Sequence, residues 1–257
     1  MKRYIVFLKQ VPASTRVDMD PVTKTLKRAS AMSQTNPDDL HALQMAVDLK
    51  RRTGAEVVAV SMGPASAEAV LRDALQRGAD RAVLLSSRAF AGSDTWCTSL
   101  VLSAAVKKIG DYDLLFFGRM ALDGDTAQVG PEVAGQLDIP QLTHLVRFPE
   151  VSEGKVRAAK RAGNEVQLVE ADLPCAIMVG RENCELDFPN LAGWRRAQER
   201  PVATWDENDL GLEAGQVGLA ASPTQVVATD VPQRKKTVEW LADAKAAAAV
   251  VYASRNV

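Results

Sequence analysis

Residues 113–131 read DLLFFGRMALDGDTAQVGP, and this stretch decides the fold class. Its apolar run predicts a strand at Asp113–Gly118 that is buried on both faces, because hydrophobic and polar residues do not alternate along it. A loop that contains Gly118 and Gly124 follows, and a helix begins after it. Open α/β sheets bind ligands where a strand ends and a helix begins. The stretch therefore predicts a parallel sheet with a binding loop at its edge.

The same pattern of short apolar runs and amphipathic segments extends over the first 140 residues. Further strands are predicted at Tyr4–Val11, Glu56–Met62 and Arg81–Ser86. Helices are predicted from Asn36 to Gly54, from about Ser66 to Arg77, and from Ser93 or Asp94 to about Lys108. Strands that alternate with helices indicate an α/β fold with a mostly parallel, doubly wound, Rossmann-like sheet.

The rest of the chain is patterned differently. The sequence predicts a small β-excursion at Val17–Arg28, a strand at Leu142–Phe148, a hairpin at Lys155–Asp172 that turns at Gly163-Asn164, and a buried strand at Cys175–Gly180. Residues 203–230 are polar and weakly patterned, and a closing helix is predicted from about Lys235 to Ala253. Because such a segment is too long for a simple loop, we expect an α/β domain over residues 1–202 and a C-terminal arm over 203–257.

The composition is that of an ordinary globular protein, with 257 residues, 47% of them hydrophobic, and a formal net charge of -1. This charge does not favour a polyanion, so nucleic acid is not an expected partner. Three cysteines without a C-x-x-C pair and only two histidines disfavour a metal site. The sequence has neither a signal-peptide pattern nor a run of about 20 apolar residues that would insert into a membrane. We therefore expect a cytoplasmic protein.

The loop at 118–130 has the chemistry of a phosphate site. Gly118 and Gly124 permit close approach of the backbone, and the following helix offers free N–H groups and a positive dipole end. Thr126 and Gln128 add hydrogen-bonding side chains, and Asp123 is suited to a ribose hydroxyl or a neighbouring amide. The alternative is that Asp123 and Asp125 only form a turn and cap a helix.

Three other segments would meet at the same edge of the sheet. Asn36–Asp39 precedes a helix and follows the excursion, Met62 ends a predicted strand, and Phe90–Thr95 contains Gly92 and Asp94 before another helix. Each could contact a ligand, and each also fits an ordinary helix cap or strand-to-helix turn.

Two common nucleotide motifs are missing. No G-x-G-x-x-G follows the first strand, and the sequence contains no G-x-x-x-x-G-K-[ST]. Neither His41 nor His144 lies beside a convincing nucleophile, so no catalytic residue is predicted. If the protein takes part in redox chemistry, a cofactor must supply it.

Several short segments that follow one another along the chain carry a resemblance to a known family. They are Phe7-Leu8-Lys9-Gln10-Val11, Asn36-Pro37, Met62-Gly63-Pro64, residues 74–81 (ALQRGADR), residues 123–131 (DGDTAQVGP) and Phe188-Pro189-Asn190. Together they resemble the β subunit of electron transfer flavoproteins over nearly the whole chain.

The resemblance implies a heterodimer with an α subunit that carries its own FAD, around which the C-terminal arm of β wraps. It also implies a nucleotide site in β. The matching residues of this chain are Phe7, Leu8, Lys9, Asn36, Asp38, Asp39, Met62, Gly118, Met120, Ala121, Asp123, Gly124, Asp125, Thr126, Ala127, Gln128, Val129 and Gly130. Conventional members hold structural AMP there, whereas electron-bifurcating members hold a second FAD that accepts hydride from NADH.

Two segments favour the bifurcating branch. Residues 90–95 resemble the NAD-contacting segment of bifurcating members, which implies that Phe90, Gly92, Asp94 and Thr95 contact NADH, and 123–131 has the form usual in that branch. One electron would then follow a high-potential path through the α-subunit FAD to an acyl-CoA dehydrogenase or a related flavoprotein oxidoreductase. The other would reach a low-potential acceptor such as ferredoxin or flavodoxin.

The resemblance further implies a partner-recognition loop at residues 182–196, with Phe188, Pro189 and Asn190 at its centre. One departure is the basic pair Lys160-Arg161, where mitochondrial-type members carry an acidic residue at an interdomain contact. Two alternatives stay open: a conventional β subunit with AMP and single-path transfer, and a stand-alone nucleotide-binding regulatory module. A dehydrogenase acting alone is disfavoured by the missing glycine motif.

Overall fold

The structure, a computed structural model, describes residues 2–13, 33–228, 238 and 240–254. Its strands are β1 (Arg3–Phe7), β2 (Gln10–Pro12), β3 (Ser33–Thr35), β4 (Glu56–Met62), β5 (Arg81–Leu85), β6 (Leu114–Gly118), β7 (Gln141–Leu142), β8 (Glu150–Ser152), β9 (Lys155–Ala162), β10 (Glu165–Asp172), β11 (Cys175–Val179) and β12 (Val202–Trp205). Its α-helices are α1 (Pro37–Thr53), α2 (Glu68–Arg77), α3 (Thr95–Ile109), α4 (Val129–Leu137), α5 (Leu191–Glu199) and α6 (Ala244–Ser254). The excursion predicted at Val17–Arg28 lies outside the described residues.

A seven-stranded sheet has the strand order β12-β5-β4-β1-β6-β11-β7, and all its neighbouring strands are parallel. From β1 the chain proceeds outward through β4 and β5, and then crosses to β6 on the other side of β1. This change of direction leaves a crevice at the carboxyl ends of β1 and β6, which is where open α/β sheets bind ligands. The predicted fold class is confirmed.

Helices cover both faces of this sheet. Tyr4 and Val6 of β1 belong to an apolar cluster that includes α1 and α2, whereas Ile5 and Phe7 belong to a second cluster with α3 and α4. Successive side chains of a strand point to opposite faces. An apolar run without alternation is therefore what burial on both faces requires, and this explains why the sequence pattern identified the strands.

Most predicted elements are confirmed with small shifts at their ends. Gly54 adopts the left-handed conformation that ends α1, and the hairpin of β9 and β10 turns at Gly163-Asn164 as predicted. The strand predicted at Leu142–Phe148 is wrong beyond Leu142. His144 has a positive φ of 55°, and Leu145 forms a single bridge to Lys160, so the chain leaves the main sheet there.

Two corrections concern the last quarter of the chain. Strand β12, which was not predicted, pairs with β5 at the edge of the main sheet. The closing helix begins at Ala244 rather than near Lys235, and the Asp243 carboxylate accepts the N–H of Ala246 at 2.8 Å. An aspartate at this position caps a helix and so fixes where it starts.

Residues 1–225 form one compact unit and residues 226–257 a second one that contains α6. The division predicted at residue 202 stays a prediction. Within the first unit, β8, β9 and β10 form an antiparallel sheet of their own. No helix among the described residues is long and apolar enough to cross a bilayer.

Helix α5 approaches α2 so closely that one glycine is required between them. A Cβ on Gly193 would lie 2.2 Å from the carbonyl oxygen of Gln76, whereas a Cβ on Gly135, which is exposed on α4, would meet nothing within 4 Å. We expect Gly193→Ala to lower the free energy of unfolding by about 1–3 kcal/mol, because the helix must shift away from α2. Gly135→Ala should raise it by about 0.5–1 kcal/mol, because alanine loses less backbone entropy in a helix.

Urea unfolding followed by circular dichroism measures both values. If the two variants were equally stable, the close contact between α2 and α5 would be wrong.

Candidate nucleotide-binding site

A cavity of about 800 Å³ lies at the carboxyl ends of the central strands, beside the point where the strand order changes direction. It is lined by residues 7–9, 39, 62, 90–95, 118–121, 124 and 126–130, together with neighbouring residues of β4, β5 and α3. The structure therefore brings together the nucleotide loop, defined as residues 118–130, and the loop at 90–95. Of the residues singled out in the sequence for these two sites, Asn36, Asp38, Asp123 and Asp125 do not line the cavity.

Asn36 connects the start of α1 to the nucleotide loop. Its side-chain amide donates to the carbonyl oxygen of Met120 at 2.9 Å and accepts the N–H of Leu122 at 3.2 Å. It makes no side-chain cap for α1. The capping role considered for Asn36 is therefore wrong, because both ends of its amide are used to hold the loop.

Gly118 is required at the carboxyl end of β6. A Cβ there would lie 2.2 Å from Oδ1 of Asp39 and 2.7 Å from the backbone nitrogen of Asp39. No side chain fits in that space, because both of these atoms belong to Asp39 at the buried start of α1. The glycine thus lets α1 and the nucleotide loop meet at van der Waals distance, which sets one wall of the cavity.

The nucleotide loop has unpaired N–H groups at residues that line the cavity. Gly124, Thr126, Ala127 and Gln128 all line it, and their N–H groups have no hydrogen-bond partner within the described part of the chain. Asp125 and Ala127 have positive φ angles of 51° and 54°, which produce this conformation. Gln128 precedes α4 without making a side-chain cap. Free N–H groups at an uncapped helix start favour an anion.

Lys9 and Asp123 form an ion pair beside this loop, with 2.7 Å between Nζ and Oδ1. Lys9 lines the cavity and Asp123 does not. The pair places a cation at the cavity and keeps the Asp123 carboxylate occupied outside it. Lys9 therefore neutralises the charge of Asp123 beside the loop.

Asp39 is a buried carboxyl group in the wall of the cavity. It accepts the backbone N–H of Lys9 at 2.8 Å. Burial raises the pKa of Asp39 from 3.8 to about 7, and hydrogen bonds offset this cost only in part. Asp39 therefore carries either charge state near neutrality, next to the end of β1.

The 90–95 loop forms the opposite wall, and its polar side chains are largely engaged within the protein. Asp94 caps α3 by accepting the N–H of Cys97 at 3.1 Å, and its second oxygen accepts the Thr224 hydroxyl at 2.8 Å. The Thr95 hydroxyl donates to Glu132 at 3.0 Å. The Asp94 carboxylate therefore satisfies an N–H group at the start of α3, whereas no side chain caps the start of α4.

Residues 217–224, which sequence reasoning did not assign to the site, support this loop. Gly218 has a φ of 78°, and a Cβ on it would lie 2.3 Å from the carbonyl oxygen of Ala89. Ser222 accepts the N–H of Asp94 at 2.9 Å. The sequence pattern of this segment did not indicate its contact with the 90–95 loop, because backbone and small polar groups make most of these contacts.

Arg88 and Arg119 also line the cavity and were not singled out in the sequence. Their position in the sequence was the available signal, since Arg119 directly follows Gly118 and Arg88 lies two residues before Phe90. Arginine is common on protein surfaces, so position alone could not separate these two from other arginines.

The predicted recognition loop presents one strongly exposed aromatic side chain between two anchored points. Phe188 is 94% exposed. Before it, the Asp187 carboxylate accepts hydrogen bonds from Gln44 and Arg51 of α1 at 3.1 and 2.8 Å. After it, Asn190 caps α5 by accepting the N–H of Gly193 at 2.8 Å. The exposure of Phe188 is thus maintained by ordered neighbours.

A family model described as the electron transfer flavoprotein domain matches residues 23–210. The chain belongs to the electron transfer flavoprotein β-subunit family. Among its relatives, the electron transfer flavoprotein subunit beta of Thermoanaerobacterium thermosaccharolyticum is 42% identical over 91% of this chain and 90% of its own length. Subunit CarD of the caffeyl-CoA reductase-Etf complex of Acetobacterium woodii is 40% identical over 91% and 89%. Protein FixA of Azotobacter vinelandii is 42% identical over 92% and 87%.

Membership in this family confirms the resemblance identified from the sequence and supports a role in flavin-associated electron transfer. A β subunit of such a flavoprotein implies an α subunit as its partner. Several segments that resemble the family line the cavity. Phe188 lies in another of these segments.

The raised pKa of Asp39 predicts a pH-dependent stability for the ligand-free protein. Between pH 3.8 and about 7 the folded chain retains a proton that the unfolded chain has released. The stability contributed by this proton is fully present below pH 3.8 and is lost as the pH rises through 7, on the order of a few kcal/mol. Asp39→Asn removes the titrating group, so its free energy of unfolding should fall less between pH 4 and 7 than that of the wild type.

Urea unfolding at a series of pH values measures this difference. Asp138→Asn, at an exposed position, is the control for the loss of one carboxylate and should retain the wild-type pH dependence. Parallel curves for wild type and Asp39→Asn would contradict the assignment.

Proposed function

We propose that this β subunit holds FAD in the cavity and takes hydride to it from NADH. One electron then follows a high-potential path through a second FAD in the α subunit to an acyl-CoA dehydrogenase-type partner. The other passes to a low-potential acceptor such as ferredoxin or flavodoxin. The observation that carries the proposal is that one cavity joins the uncapped start of α4 to the 90–95 loop.

The size and the donors of the cavity fit FAD. A volume of about 800 Å³ lies in the upper part of the range of roughly 300–1,000 Å³ typical of small-molecule sites. AMP, the alternative, is much smaller and would leave a large part of this space without a ligand. The four unpaired N–H groups of the nucleotide loop suit the diphosphate that FAD carries.

The chain supplies binding and orientation, and bound FAD supplies hydride acceptance and one-electron release. The N–H groups of the nucleotide loop and the start of α4 bind the diphosphate. Phe7 and Phe117 stack with their ring centroids 4.4 Å apart at the base of the cavity and give it an apolar wall. The 90–95 loop, fixed by the cap at Asp94, forms the side at which NADH binds.

The relatives support the choice of partners. The name of CarD places it in a complex of a caffeyl-CoA reductase with an electron transfer flavoprotein, and this favours a flavoprotein that acts on a CoA thioester as the high-potential partner here. We propose that Phe188, Pro189 and Asn190 contact this partner, and that residues 203–257 act as an arm on the α subunit. The protein would work in the cytoplasm.

The cofactor content of the heterodimer tests the function. We expect two FAD molecules per heterodimer after coexpression with the α subunit, and loss of flavin absorbance on addition of NADH under anaerobic conditions. Acid extraction followed by chromatography separates FAD from AMP.

One FAD and one AMP per heterodimer would identify a conventional β subunit with single-path transfer. A stable chain that recruits no α subunit and no flavin would indicate a stand-alone nucleotide-binding module. Reduction by NADH without any low-potential product would retain the NADH site and exclude bifurcation.

The recognition loop gives a separate prediction. Phe188→Ala should lower the rate of electron transfer to the acyl-CoA dehydrogenase-type partner at least tenfold, because a central exposed aromatic residue contributes a large share of binding energy at interfaces. Reduction of the flavins by NADH should not change. Leu168→Ala, which removes an apolar side chain that is 75% exposed on β10, is the control. Equal effects of both substitutions would contradict a specific role for Phe188.

A further inference from the structure

Arg119 lines the cavity directly after Gly118, and behind it lies Asp38, a carboxylate with only 1% of its side chain exposed. One carboxylate oxygen of Asp38, Oδ1, accepts a hydrogen bond from Nε of Arg181 at 2.7 Å. Its other oxygen, Oδ2, faces Nε of Arg119 at 3.7 Å. Asp38 therefore lies between Arg181, which follows β11, and Arg119 of the nucleotide loop.

The contact between Asp38 and Arg119 is incomplete. A distance of 3.7 Å is too long for a hydrogen bond. Both Oδ2 of Asp38 and Nε of Arg119 are buried, and neither has a hydrogen-bond partner within the described residues. Buried polar atoms without partners are costly, and a small shift of the guanidinium group that lets Nε donate to Oδ2 would remove both costs.

We propose that Arg119 binds a phosphate group of the nucleotide in this cavity, and that Asp38 positions its guanidinium group. This inference rests on the proposed nucleotide site and adds a charged residue to it. An anion at the exposed end of the guanidinium leaves Nε free to donate to Asp38. Arginine suits this arrangement, because its planar group binds a phosphate on one edge and a carboxylate on another.

Among the charged side chains of the cavity, Arg119 is the best placed to bind a phosphate group at the nucleotide loop. The charged side chains that line the cavity within the described part of the chain are Lys9, Arg88, Arg119, Asp39 and Asp94. Lys9 is paired with Asp123 at 2.7 Å, and Arg88 belongs to the segment next to the 90–95 loop. Arg119 belongs to the nucleotide loop itself, which also carries the unpaired N–H groups.

A comparison of AMP with adenosine tests the proposal, because the two ligands differ only in the phosphate. The full chain, in its complex with the α subunit and freed of nucleotide in this cavity, is titrated with each ligand by calorimetry. Arg119→Met should weaken AMP binding on the order of tenfold to a hundredfold, as expected for a charge-assisted hydrogen bond, and change adenosine binding less than twofold. Arg119→Lys should restore part of the AMP affinity.

The role of Asp38 is tested by the same comparison of the affinities for AMP and adenosine. Asp38→Asn should weaken AMP binding several-fold without affecting adenosine, and adding it to Arg119→Met should cause no further loss, because Asp38 acts through Arg119. Arg147→Met, at an exposed position outside the cavity, is the control for the loss of one positive charge and should leave both affinities unchanged. Thermal unfolding of each variant verifies that it is folded.

Three results would overturn the inference. Unchanged AMP affinity in Arg119→Met would exclude a contact with the phosphate. Equal losses for AMP and adenosine would indicate a structural role only, and a larger loss in Arg88→Met than in Arg119→Met would assign the phosphate to Arg88. A wild-type complex that binds neither ligand nor FAD would instead overturn the nucleotide site itself.

Discussion

The close approach of β6 to the start of α1 is the constraint on which the rest of the site depends. Gly118 leaves no room for a Cβ beside Asp39, so the end of the strand and the first turn of the helix share one small volume. This contact brings Asn36 within reach of Met120 and Leu122, and it orients Asp38 toward Arg119. The nucleotide loop is therefore held by α1, and its backbone donors need not pair with one another.

The two helices at the cavity differ in how their N-terminal N–H groups are satisfied. Asp94 caps α3, whereas α4 starts without a side-chain cap and follows a loop with two positive φ angles. A capped helix start offers little to an anion, because its donors are already used. The start of α4 therefore offers free N–H donors to the cavity, whereas the donors at the start of α3 are partly used by Asp94.

Links between α1 and the segment after β11 connect the cavity to the recognition loop. Arg181 bonds to Asp38 at the start of the helix, and Asp187 bonds to Gln44 and Arg51 farther along it. One helix therefore lies against the wall of the cavity and also contacts Asp187, the residue that precedes Phe188. The two regions were identified separately in the sequence, and their connection through α1 is a property of the fold.

The sequence by itself determined the fold class, most helices and strands, the family and the loops at 90–95 and 118–130. It did so because burial on both faces leaves an apolar run, and because glycine and capping residues have local meanings. Only the tertiary structure decided how individual polar groups are used. Asn36 holds a loop instead of capping a helix, Asp123 pairs with Lys9, and Arg119 faces a buried carboxylate. The physical reason is that a side chain bonds to whatever the fold brings near it, and these partners are distant in sequence.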